Sequence, residues 1–204
     1  RISVETGRME EARQSCPSSL SSRSALLPPD HPDLAESLAA MGLFHLRSGR
    51  LDKAQALLEA AMKVYEKAPA SDFRTRDSAL MAMAELSAFR GDLASAEEAF
   101  NKVRSNSDSP YATVKALIRE AGCEMRGGQA RKAAGALNEA LSLHAQLPLA
   151  DKLDRELILF GLGESNAAQG RLEEAEAFLT RAYEAAEDRH SAGVLDMISA
   201  LRSL

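Results

Sequence analysis

A six-residue phrase, Gly-x-Leu/Met/Ala-x-x-Ala, recurs down the chain and constrains everything else in it. It reads GRMEEA from Gly7, GRLDKA from Gly49, GDLASA from Gly91, GQARKA from Gly128 and GRLEEA from Gly170. Successive glycines stand 42, 42, 37 and 42 residues apart. Self-similarity at such a period means that each copy is one supersecondary unit that cannot bury its apolar face alone, so neighbouring copies stack and share a core. A stacked array of this kind works through surfaces, and its function is to be sought there rather than in an enclosed active site.

Each phrase sits inside a longer pattern whose positions have a packing reason. Seven residues before the glycine stands a small residue: Gly42, Ala84, Ala121 or Gly163. Five after it comes alanine in every copy (Ala12, Ala54, Ala96, Ala133, Ala175), and twelve after it Ala61, Val103, Ala140 or Ala182. Small residues at these points let two helices approach closely while larger apolar side chains interlock around the contact. Eleven before the glycine is leucine (Leu38, Leu80, Leu117, Leu159), the large knob of the first helix. The glycine suits a left-handed backbone position that ends one helix and turns into the next. The repeat is helix, tight turn, helix.

This pattern resembles the tetratricopeptide repeat, whose basic unit is about 34 residues. Leu162-Gly163 followed by QGRLEEAEAFLTRA is a close local match, as is MGLFHLRSGRLDKAQALLEAAMKVYEKA from Met41. The 42-residue spacing, with a His31-Pro32-Asp33 opening to a helix, is similar to the kinesin-light-chain class of such repeats. The third repeat departs from the pattern at Glu120, where an apolar residue is usual, and at Ala130, where the turn usually carries a large one. The resemblance runs from about Pro32 to Arg189. It implies an all-α fold: a TPR-type α-solenoid, a right-handed superhelix of antiparallel helix pairs. Residues 1–30 are expected to hold a degenerate partial repeat and a Ser/Pro-rich irregular segment, 31–189 four repeats, and 190–204 a capping helix or the first helix of a further repeat.

Local punctuation sharpens these bounds. Pro17 falls inside what would be the second helix of the first copy, where it removes a backbone donor and clashes with the preceding turn. The stretch from Ser15 to Asp30, with SSLSSRS and Leu27-Pro28-Pro29, is accordingly the weak part of the array. Asp30 or His31 can cap a helix that opens at Pro32, and Ser109 one that opens at Pro110. Pro69 and Pro148 close second helices that begin near Asp52 and Gln129. The 37-residue interval arises between Val103 and Leu117, so the second helix of that repeat is expected to be short. Val194, Leu195, Ile198 and Leu201 have helical spacing and fall where a further repeat would begin. The chain opens on Arg1, and truncation or proteolytic maturation is the expectation there.

Composition narrows the function classes. Aromatic residues are 4% with no Trp, as expected when close helix packing rather than bulky side chains fills the core. The charge is 25 basic against 30 acidic residues, net −5, without a basic run for a nucleic-acid groove. Cys16 and Cys123 are too few for a disulfide framework or a zinc site, and no apolar run approaches the ~18 residues of a membrane span. His31, His45, His144 and His190 are scattered, with no metal-ligand spacing, and His45 reads as a partly exposed surface histidine. Gly127-Gly128 is explained by its turn, and the acidic pairs Glu97-Glu98 and Glu173-Glu174 complement the positive ends of second helices while facing water. No enzyme activity, no cofactor and no metal are expected. The setting expected is soluble and cytoplasmic, or an organelle interior after removal of a targeting segment.

The resemblance implies that first helices line an inner groove. Ten residues before each glycine stand Ala39, Met81, Ile118 and Phe160, an apolar stripe; six before stand Leu43, Glu85, Gly122 and Glu164. Lys115 and Arg119 add positive charge one turn apart on the same face. The candidate partner-binding residues are therefore Leu43, Met81, Glu85, Lys115, Ile118, Arg119, Phe160 and Glu164, apolar anchors bordered by charges that set orientation. Chaperone-binding relatives hold a C-terminal carboxylate with lysines, asparagines and an arginine on three successive first helices. Lys115 and Arg119 look like the last pair of such a clamp, but Ala39, Leu43 and Ala82 occupy its other positions and can neither donate nor carry charge. The expected function is a protein–protein interaction scaffold for a protein or peptide; the alternative is a regulatory sensor whose superhelix responds to a signalling peptide or small ligand and controls an attached effector.

Overall fold

The computed structural model describes residues 21–67, 73–106, 109–147 and 152–187. Eight helices of 14–17 residues follow in order: α1 Pro32–Arg47, α2 Leu51–Lys67, α3 Phe73–Phe89, α4 Leu93–Asn106, α5 Pro110–Arg126, α6 Ala130–Ala145, α7 Lys152–Ala168 and α8 Leu172–Glu187. No strand occurs among the described residues. The repeat pairs α1 with α2, α3 with α4, α5 with α6 and α7 with α8, joined by the turns at Gly49, Gly91, Gly128 and Gly170.

The four turns share one construction. The glycines have φ of 73°, 86°, 72° and 75°, a region that only glycine enters without steric cost. In the first turn the Arg50 amide donates to the His45 carbonyl at 2.9 Å and the Gly49 amide to that of Leu46 at 3.1 Å. Asp92, Gln129 and Arg171 repeat the first of these bonds, donating to the Ser87, Glu124 and Asn166 carbonyls. These paired bonds close each first helix and satisfy carbonyls that would otherwise be orphaned. The alanine of the phrase then makes the first bond of the next helix: Ala54, Ala96, Ala133 and Ala175 donate to Arg50, Asp92, Gln129 and Arg171. At the other ends, Pro32 opens α1 behind His31, whose Nδ1 accepts from the Asp33 amide at 3.2 Å, and Pro110 opens α5 behind Ser109. The short second helix expected from the 37-residue interval is α4, 14 residues against 16 or 17 elsewhere.

Two compact units divide the chain, the boundary falling between Val103 and Arg104 inside α4. In the first, Ala35, Ala39, Ala61, Val64, Tyr65 and Ala79 form one cluster, and Leu46, Ala54, Leu58, Ala82 and Leu86 another. In the second, Val114, Leu117, Ala121, Ala133, Leu137, Ala140, Ile158 and Leu162 form the larger cluster, and Leu159, Phe160, Leu179 and Ala182 the smaller. Within the first unit α1 touches both α2 and α3; within the second α5 touches both α6 and α7. First helices of successive repeats therefore lie beside each other, which is what gives each unit a first-helix face.

The small-residue positions sit where the helices cross. A Cβ built on Gly42 would stand 2.7 Å from Leu58 Cγ, and one on Gly163 would stand 2.6 Å from Leu179 Cγ. Ala54, Ala61, Ala84, Ala121, Ala133, Ala140 and Ala182 are buried in the same crossings.

Three expectations need amendment. The Ser15–Asp30 segment is not wholly irregular: residues 21–26 are helical, and Arg23 ties this turn to α1 by bonds to the Asp33 carbonyl, Glu36 and Ser37. His45 is buried rather than partly exposed. Leu38 and Leu80 are half-buried, unlike Leu117 and Leu159. Of the degenerate repeat and irregular segment expected over residues 1–30, residues 1–20 lie outside the described residues, as does the terminal helix expected for 190–204. Because Ala54 and Ala175 fill crossings with no room to spare, Ala54→Leu and Ala175→Leu should each cost about 1–3 kcal/mol; thermal unfolding of the purified variants checks this, and an unchanged melting temperature would remove these alanines from the crossing.

Candidate functional site

The first-helix faces carry the candidate residues, and burial sorts them. In the first unit, Leu43 is half-buried against the Leu46–Leu58 cluster, whereas Met81 and Glu85 are only 5% and 3% exposed. In the second, Lys115 is exposed and Ile118, Arg119 and Glu164 are half-buried, while Phe160 is 6% exposed and packs with Leu159, Leu179 and Ala182. Met81 and Phe160 thus sit in the core beneath the face, not on it. The physical reason is that a first-helix residue ten positions before the glycine lies at the margin between the face and the next crossing, and neighbouring helices close over a large side chain there. Leu43, Lys115, Ile118, Arg119 and Glu164 remain accessible.

Two buried carboxylates on first helices, Glu85 and Glu120, have cationic partners drawn from other helices. Arg47, at the end of α1, reaches Glu85 of α3 at 3.3 Å. Glu120, the departure noted in the third repeat, is buried and paired with Arg104 of α4. A charge taken out of water needs a partner and hydrogen bonds to persist. The substitution of a carboxylate for an apolar side chain at 120 is therefore matched by a guanidinium sixteen residues earlier, a pairing the repeat pattern alone does not reveal. Removing one partner should cost more than removing both: Arg104→Ala is expected to destabilise by about 3 kcal/mol, and Arg104→Ala combined with Glu120→Leu to recover most of the loss. Urea unfolding of the two variants provides the comparison.

His45 lies in the last turn of α1 with its ring edge-on to Phe44, and its buried Nδ1 has no hydrogen-bond partner. Burial, then the positive charges of Arg50 and Lys53, hold its pKa below the ordinary value of 6.5. The neutral ring is therefore the folded form. Above pH 6.5 folded and unfolded chains both carry it neutral and stability is unaffected; as pH falls below 6.5 the unfolded chain takes up its proton first, and stability drops until the folded ring also protonates. His45→Gln should flatten this part of the stability-against-pH curve, as measured by denaturation between pH 5 and pH 8; a curve of unchanged slope would assign the dependence elsewhere.

The mid-helix glycines separate packing from surface. Gly42, Gly161 and Gly163 have leucine atoms within 3 Å of where a Cβ would stand. Gly122, between Ile118 and Arg126 on the first helix α5, has only an Arg126 nitrogen at 3.9 Å, and Gly135 on the second helix α6 has nothing within 4 Å. Helix packing in this structure does not require a glycine at 122, although glycine there costs roughly 0.8–1 kcal/mol of helix propensity relative to alanine. Gly122 stands six residues before Gly128, in register with Leu43, Glu85 and Glu164, and spacing gives it no role; openness around a missing Cβ is a property of three dimensions.

No group of three His, Cys, Asp or Glu side chains among the described residues is placed to hold a metal ion, and none of their helices is long and apolar enough to cross a membrane. Two sequence profiles, each described as tetratricopeptide repeat, match residues 2–67 and 124–190, together about two thirds of the chain. The chain belongs to the tetratricopeptide repeat family. Solved structures agree. The chain is similar to a Podosopora anserina protein, described as a kinesin light chain with nearly identical TPR-like repeats, at 18% identity and a TM-score of 0.63, over 92% of this chain and 91% of that one. It is similar to BtubC (BKLC) of P. vanneervenii at 18% identity and a TM-score of 0.68, over 91% of this chain and 76% of that one. At such identity the likeness concerns the fold. No curated protein sequence matches the chain. Tetratricopeptide repeats generally mediate protein–protein interaction, and the fold is typically a non-enzymatic scaffold.

Proposed function

We propose that this tetratricopeptide repeat chain is an interaction scaffold that binds a protein or peptide partner on its first-helix faces, in an aqueous compartment such as the cytoplasm. The observation that carries the reading is Gly122. A glycine that costs helix stability and is not needed for packing leaves a gap in the α5 face through which a partner backbone can come close. Around it, Ile118 supplies apolar contact and Lys115, Arg119 and Glu164 supply charge on the same unit. Leu43 has the corresponding place on the first unit, with Glu85 and its Arg47 partner beside it. Met81 and Phe160 act from below as the rigid floor of these faces. Anchors of this kind concentrate affinity in a few contacts, while charged neighbours set register and association rate.

Gly122→Leu tests the reading because its two effects have opposite signs. Leucine is a better helix former than glycine, so stability should rise by up to ~1 kcal/mol. The same side chain closes the gap, so affinity for peptides selected against the wild-type protein from a displayed library should fall tenfold or more, about 1.4 kcal/mol. Glu97→Ala, on the exposed side of α4, serves as the control. Calorimetric titration showing equal affinity for wild type and Gly122→Leu would move the partner surface away from α5.

A further inference from the structure

We propose that the unit from Arg104 onward carries a second docking site, a basic cleft at the turns of its two helix pairs, which takes the carboxylates of an acidic peptide segment. The cleft has a volume of about 580 Å³ and is open to solvent. Its walls come from the first turn of α6, which brings Arg131 and Lys132, and the turn before α8, which brings Gln169 and Arg171. No Asp or Glu lines it, although the chain as a whole has a net charge of −5. The local sign is thus the reverse of the global one, and three cations from two repeats converge on one concavity.

The cleft is held in shape. Gln169 Nε2 donates to the Ala130 carbonyl at 3.2 Å and to the Ser165 carbonyl at 2.8 Å, bridging the two turns. Asn166 is 5% exposed and anchored through Nδ2 to the Leu162 carbonyl at 2.7 Å; its Oδ1 accepts from Arg171 Nε at 2.7 Å. A buried amide therefore aims the Arg171 guanidinium and leaves its two terminal nitrogens for a further acceptor, the geometry in which arginine binds a carboxylate through two parallel bonds. Arg131 and Arg171 form no ion pair with a carboxylate among the described residues, in contrast to Arg47, Arg90 and Arg104, which pair with Glu85, Asp52 and Glu120. An open cleft of this size suits one or two side chains of an extended segment that runs on past both ends, and its charge selects acidic ones.

This site does not depend on the α5 face, and the experiment separates the two. The probe is fluorescein-labelled hexa-glutamate, with hexa-glutamine as the neutral control, followed by fluorescence anisotropy at 50 mM and 300 mM salt on the full chain. Hexa-glutamate should bind and hexa-glutamine should not, with binding weakened by salt as exposed charges are screened. Arg131→Glu combined with Arg171→Glu should weaken binding tenfold or more while far-ultraviolet circular dichroism at the assay temperature stays that of wild type. Lys53→Glu combined with Lys67→Glu changes net charge equally on the first unit and should alter binding less than twofold; Gly122→Leu should leave it unchanged. Equal losses in the two double variants would reduce the effect to net charge and overturn the site. Failure of wild type to bind hexa-glutamate, or binding of inorganic phosphate that hexa-glutamate does not displace, would overturn the acidic-peptide assignment.

Discussion

The insertion of a leucine from the second helix into the gap left by a glycine on its partner, in the first and last helix pairs, is the contact on which this structure depends. Leu58 lies over Gly42 and Leu179 over Gly163, so close that a single added methyl group would collide with the leucine Cγ. Ala84 and Ala121 hold the same repeat position in the middle pairs and are buried, Ala121 in one cluster with Leu137. Close approach of this sort replaces large aromatic residues as the source of dispersion and apolar burial, because many atoms come into contact when two backbones are near. It explains how a core with 4% aromatic residues and no Trp can hold together.

Close crossings leave narrow margins for the polar residues beside them. Glu85, Glu120, Asp154 and Glu156 all end up buried on first helices. The two with pairings described above draw arginines from other helices, Arg47 and Arg104. Such pairs are weak net contributors when set against a well-packed apolar alternative, but leaving one charge alone is costly. They therefore act more as constraints on which helices can lie together than as sources of stability. The same narrowness buries His45 and keeps it neutral, so that the first unit carries an acid-sensitive point that has nothing to do with a catalytic site.

Function in a scaffold of this kind follows from what packing leaves over. Most of the small residues are consumed by crossings, and most of the large apolar residues by clusters. Gly122 and Gly135 stand outside the first account, and the exposed Leu26, Phe89 and Leu172 outside the second. At the turns, the side chains that close each helix are free to vary because the closing bonds are made by backbone groups. Arg171 stands at such a turn and Arg131 and Lys132 in the first turn of α6, and the repeat geometry brings them to one cleft.

The period of the Gly-x-x-x-x-Ala phrase, by itself, determined the helical class, the four turns, the short α4 and the family, because each rests on spacing and on residue types whose backbone or packing demands are local. Proline and glycine placed the helix ends within a residue or two for the same reason. Which side chains of a first helix face water was not legible, since that depends on the tilt of the neighbouring helix: Met81 and Phe160 share a column with the half-buried Ile118 yet lie in the core. Nor could spacing show that Glu120 would meet Arg104, that His45 would be enclosed, or that the space beside Gly122 would stay empty while that beside Gly42 and Gly163 is filled. These are outcomes of distances between helices, and only the tertiary structure decides them.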